Sequence, residues 1–205
     1  MREQSGIDVS KIIHSHDQAL QACDQLVETS GLKGRDLAEI LLDRADLDAP
    51  GQEEAYARTL ADYGRAIALA PDLATAYWRR GKANLLNSRN LPAAPNEIDI
   101  AIRLDPSQPD FFVTRASILS WLGQPGQALA NLNRALVVDP HSVHALTNRG
   151  LAYFDDGDFD DALSDFDTGL QLSPGDAGLY GFRSAPGARQ AMGLGQRPMK
   201  PRWPI

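Results

Sequence analysis

An all-α solenoid of about four helix pairs is the fold the sequence predicts, and three observations predict it. An arginine followed by a small residue returns at Arg44-Ala45, Arg80-Gly81, Arg115-Ala116, Arg149-Gly150 and Arg183-Ser184, at spacings of 36, 35, 34 and 34. A proline returns at Pro71, Pro106, Pro140 and Pro174, spaced 35, 34 and 34, each closing a helix-like run (RAIALAP, IAIRLDP, RALVVDP, GLQLSP). Between the two series, bulky residues stand four before the small one (Leu41, Tyr77, Phe112, Leu146, Tyr180). Small residues follow at Ala94, Ala128 and Ala162, with Ile98, Leu132 and Phe166 behind them and then Ala101, Ala135 and Gly169. A shared period of this length belongs to stacked two-helix units that bury their apolar faces against one another.

The elements follow in chain order. Residues 1–34 form an N-terminal segment with one helix over Asp17–Thr29, where Ala19, Leu20, Cys23, Leu26 and Val27 share a face. The repeats occupy 35–174, as units over 35–71, 74–106, 109–140 and 143–174. In each, a first helix (A) must approach a second (B) closely, so small residues face each other, Gly81 against Ala94 and Gly150 against Ala162. Proline ends helix B because it cannot continue the hydrogen-bond ladder. The first unit is divergent: LDAPGQEEAYART is two residues over the norm and Thr59 replaces an alanine. In the second, NSRNLPAAP lacks the usual Gly-Asp turn; Pro92 suits a first helical turn and Pro95 shortens helix B.

The fourth unit holds seven aspartates between Asp155 and Asp167. A calcium loop needs alternating oxygen ligands and a bidentate Glu six residues after its glycine; Phe154 and Leu163 stand where ligands belong. Instead, Gly157 suits the left-handed end of helix A, and Asp158, Asp160 and Asp161 suit the positive start of helix B. Asp165 and Asp167 read as a solvated face. Residues 175–192 predict a partial capping helix, broken by Pro186-Gly187, and 193–205 a basic, proline-rich extended tail containing Pro198-x-x-Pro201.

Composition narrows the function. With 205 residues, 43% hydrophobic and 23% charged, the chain is that of a soluble globular protein. Apolar runs are short and MREQSGIDVSKII has no basic stretch leading into an apolar one, which argues against membrane insertion and Sec-type export. The expected location is the cytoplasm; a start site chosen too late would instead conceal an export signal. Cys23 stands alone and reads as a small core residue. The net charge is −7, yet from Ala177 onward there is no acid and five cations, Arg183, Arg189, Arg197, Lys200 and Arg202. An acidic body repels phosphates, so no nucleic-acid partner is expected. There is no phosphate-binding glycine loop or nucleophile elbow. His14-Ser-His16 reads as a mobile terminus, and His141 and His144 as flanks of a turn rather than metal ligands. No enzyme activity, metal or cofactor is expected.

The periodic positions from about Asp36 to Pro174 resemble the tetratricopeptide repeat (TPR) family. The resemblance implies a right-handed superhelix whose concave face, lined by the A helices, binds an extended peptide or a partner's helix. Matched to the family's concave positions are Trp78, Arg79, Lys82, Val113, Thr114, Ser117, Trp121, Thr147, Asn148 and Phe154. An asparagine at the place of Asn148 often bonds a ligand's main chain in such proteins; its equivalents here are Arg79 and Thr114. The carboxylate-clamp variety is rejected, since only Lys82 and Asn148 come near its residue set. Trp78 and Trp121 suit either the packing between repeats or a ligand contact. The arginine series suggests ion pairs to an acid or a helix C-terminus of a neighbouring repeat. The SGLKGRDLA turn and NRGLAY-type repeats are similar to small TPR proteins common in alphaproteobacteria. The implied function is a non-catalytic adaptor for a protein or peptide. The alternative is a structural subunit that docks, or self-associates, through an uncapped C-terminal end.

Overall fold

The computed structural model describes residues 9–47, 53–87 and 94–184, the side chains of 9–16, 53 and 87 excepted. Pro92, Pro186-Gly187 and the tail over 193–205 lie outside the described residues. Every regular element among those described is helical.

The helices fall into two compact units, Met1–Leu104 and Asp105–Ile205. The first contains α1 (Val9–Thr29), α2 (Gly34–Asp46), α3 (Glu53–Leu69), α4 (Ala74–Asn87) and α5 (Ala94–Leu104). The second contains α6 (Pro109–Trp121), α7 (Pro125–Val138), α8 (Val143–Asp156), α9 (Phe159–Leu172) and α10 (Ala177–Arg183). The A helices are α2, α4, α6 and α8, and each packs mainly on the helix after it.

Local chemistry sets the helix ends. The B helices stop at Leu69, Leu104, Val138 and Leu172, each two residues before its proline, and the next helix starts three after it. Pro109 and Pro125 open their helices, where a missing N–H costs nothing. Ser142 caps α8 by accepting from the Ala145 N–H at 3.2 Å, and Asp176 caps α10 by accepting from Gly178 and Leu179. Gly157 ends α8 with φ 87°, a left-handed conformation that glycine adopts without Cβ strain. The start of the first helix differs from expectation, while the shortening expected from Pro95 is present. Residues 14–16 lie within α1, which starts at Val9 rather than Asp17. With Pro95 as its second residue, α5 runs only 11 residues, against 14 for α7 and for α9.

The first unit centres on Ala38, Leu41, Leu42, Ala45, Tyr63, Ala66, Ala70, Leu73 and Ala76. Cys23 is only half-buried, and burial is the largest of the influences that push its thiol pKa up. In the second unit Leu179 joins Ala162 and Phe166 in a buried cluster, so α10 covers the end of the last pair. The close approaches differ from the expected small-on-small contacts. A Cβ at Gly150 would meet the Phe166 ring at 2.5 Å, and one at Gly81 would meet Ile98 Cδ1 at 2.8 Å. At both glycines the nearest side chain is the bulky B-helix residue.

Arg44, Arg80 and Arg149 tie their A helices to their own B helices, which corrects the expected pairing between neighbouring repeats. Arg44 donates to both oxygens of Asp62 at 2.7 and 2.6 Å, and Arg149 to both of Asp165 at 2.8 and 2.7 Å. Arg80 donates to Glu97 at 2.8 Å. Outward contacts are secondary: Arg44 also reaches Asp24 on α1, and Arg149 reaches Asn133 on α7. Arg183 does pair backward, with Asp167 at 2.6 Å. Asp165 is therefore no solvated residue: it is 5% exposed, with its charge neutralised by a two-bond guanidinium. Those bonds raise the Arg149 pKa, as the Asp62 bonds raise that of Arg44. Glu97 differs, because its second oxygen is buried without a hydrogen-bond partner and burial outweighs Arg80, raising its pKa.

Candidate peptide-binding faces

On α4, the positions 78, 79 and 82 lie within one 100° sector of the helix. Lys82 sits over the Trp78 ring, 5.1 Å from its centroid, which holds the ammonium by cation–π attraction. Arg79 reaches back to α2, 3.0 Å from Asp46 and 3.4 Å from Asp43. Asp46 also accepts from the Tyr63 hydroxyl at 2.6 Å. Arg79 is thus partly committed to the scaffold. The sequence signal for this pairing was present, a 36-residue offset between Asp43 and Arg79, but it was masked by the stronger Arg-small series.

In the second unit, Val113, Thr114, Ser117 and Trp121 form one stripe on α6, and Thr147, Asn148 and Phe154 lie on α8, which touches α6. Val113 and Thr114 are buried and offer a ligand little area. Trp121 is 70% exposed, which removes it from the packing between repeats. Phe154 is half-buried, edge-on to Phe159 with ring centroids 5.1 Å apart.

The polar groups of this face share one arrangement. Thr114, Ser117 and Thr147 donate their hydroxyls to carbonyls one turn back, at 2.9, 3.2 and 2.8 Å. Asn148 Nδ2 does the same to the His144 carbonyl at 2.8 Å. With their hydroxyl hydrogens turned into the helix, Ser117 and Thr147 keep acceptor oxygens, the complement of peptide N–H groups, and Asn148 keeps its amide oxygen together with one N–H. His144 lies 3.4 Å from Asp110 at the start of the stripe. Among the described residues no cluster of three His, Cys, Asp or Glu side chains is placed to hold a metal ion, and no helix is long and apolar enough to cross a membrane.

A family model described as Tetratricopeptide repeat matches residues 114–177. That stretch of the chain carries the tetratricopeptide repeat. Human "Tetratricopeptide repeat protein 13" is 32% identical over 122 residues, 58% of this chain. The matched part is only 14% of that relative's length. A thermophilic TPR protein of Thermus thermophilus superposes with a TM-score of 0.70 at 20% identity, covering 85% of this chain and 92% of the other. YrrB, described as a TPR protein with an unusual peptide-binding site, superposes with a TM-score of 0.55 at 25% identity, covering 77% and 78%.

Proposed function

We propose that the protein is a non-catalytic interaction module that holds a peptide, or an extended segment of a partner protein, against the faces of its A helices. The observation that carries this is the second unit's face, where Ser117, Thr147 and Asn148 present acceptors beside an exposed Trp121. An aromatic anchor supplies apolar area, while acceptors fix the main chain without reading its sequence. The peptide-binding site of YrrB is consistent support, as is the repeat itself. In the first unit, taken by itself, Lys82 and Trp78 on α4 form a cationic surface. Val113 and Thr114 serve as the packing beneath.

The rival is a structural subunit docking through its C-terminal end. It draws on Tyr180, which is half-exposed on α10 although Leu179 beside it is buried. Selecting peptides from a displayed library on the purified chain separates the two. Peptides that bind wild type and lose at least tenfold in Ser117→Arg/Asn148→Arg support the A-helix face. Peptides indifferent to that pair but lost in Tyr180→Asp overturn it in favour of the C-terminal end.

A further inference from the structure

The end of α6 carries an exposed apolar surface. Trp121 and Leu122 are 70% and 49% exposed, in contrast to the buried Phe111, Phe112 and Ile118 earlier on α6. The nearby A helix, α8, ends in Phe154, Asp155 and Asp156, and Asp158, Asp160 and Asp161 follow, all five aspartates exposed. From Leu151 to Phe182 the sequence holds no lysine, arginine or histidine. Beyond the described residues the chain reads RPMKPRWPI over 197–205, three cations and a tryptophan without an acid.

Reach favours a contact within one molecule. Arg183, at the end of α10, pairs with Asp167. From Asp167 back to the start of α9 at Phe159 is about 12 Å, at 1.5 Å per residue. The 12 residues over 185–196 extend to at most ~40 Å. A tether of that kind presents its end at an effective concentration on the order of millimolar, well above that of a second molecule in dilute solution.

We infer that residues 197–205 dock in cis on the Trp121–Leu122 surface, their cations facing the carboxylates at Asp155–Asp161, so that an external peptide must displace them. This rests on the reading of the A-helix face as a peptide-binding surface. It gives the protein a built-in competitor, weakened by salt because the carboxylates at Asp155–Asp161 are exposed.

The test compares NMR spectra of the full-length wild type with those of Arg197→Glu/Lys200→Glu/Arg202→Glu, a variant altered only outside the described helices. Docking predicts different positions for the Trp121 indole N–H and the Asp155–Asp161 amides. The wild-type positions should not depend on protein concentration, and high salt should shift them toward those of the variant. The synthetic peptide RPMKPRWPI added to the variant should restore them. Identical spectra overturn the inference and leave the library result at Ser117 and Asn148 untouched. Differences that grow with protein concentration overturn it in favour of a second copy as occupant.

Discussion

Gly150→Ala is the sharpest test of how the last repeat packs. The added Cβ would meet Phe166 Cε1 at 2.5 Å, Cδ1 at 2.9 Å and Cζ at 3.1 Å. The ring cannot easily withdraw, because Phe166 is fully buried and stacked on Phe182 with centroids 5.6 Å apart. Overpacking of this kind costs about 2–3 kcal/mol, and the better helix propensity of alanine returns about 1 kcal/mol. The net expectation is a loss of about 1–2 kcal/mol, or a fall in Tm of roughly 3–6 °C for a chain of this size. Two glycines calibrate it. At Gly81 the closest atom is the terminal methyl of Ile98 at 2.8 Å, which turns about its own torsion where a flat ring has none, so Gly81→Ala should be less costly. At Gly126 nothing lies within 4 Å, and alanine there should be neutral or stabilising. Urea titrations followed by circular dichroism measure all three. If Gly150→Ala is as stable as Gly126→Ala, the tight glycine–phenylalanine approach is refuted.

The ion pairs make further predictions. Asp165→Ala leaves the half-buried Arg149 without its carboxylate and should cost about 1.5–3 kcal/mol in the urea midpoint analysis. Glu97→Gln should change stability at neutral pH by less than about 1 kcal/mol, since burial already outweighs the Arg80 pair at that carboxyl. The sign of its pH dependence follows from the raised folded pKa. Between the ordinary Glu range, about 4.3, and that raised value the folded state holds more proton than the unfolded. Wild-type stability relative to Glu97→Gln should therefore fall as pH rises through this window, which paired urea titrations would detect. Trp121→Ser removes an exposed ring and should alter stability by no more than about 0.5 kcal/mol while weakening library-selected peptides at least tenfold by isothermal titration.

The period exposed the fold because prolines and small residues mark geometry that stacked helices cannot avoid. Helix B stops two residues before each of Pro71, Pro106, Pro140 and Pro174, and the sequence marks each of those stops. Burial of charge was harder to see. Asp165 looked solvated because it sits among aspartates, and only the pairing with Arg149 sixteen residues earlier reveals its burial. The equivalent offsets to Asp62 and Glu97 are eighteen and seventeen, so the turn insertions blurred the register. Within the candidate face, the residue positions followed from the repeat, but their exposure did not. Val113 and Trp121 share the α6 stripe, yet one is buried and the other is 70% exposed, a difference that helical spacing alone does not carry. Arg79 was legible as a position but not as a partner of Asp43 and Asp46.

Site-specific photo-crosslinking tests the central claim most directly. A photoreactive residue placed at Ser117 or Asn148, on the proposed A-helix face, is compared with one at the exposed B-helix positions Arg134 and Ser164. Each protein is irradiated with the same library-selected peptide. The account predicts adducts at 117 and 148 and none at 134 or 164, with the 117 and 148 adducts lost on competition by unlabelled peptide. Adducts confined to 134 and 164 would contradict it and move the binding surface to the B helices.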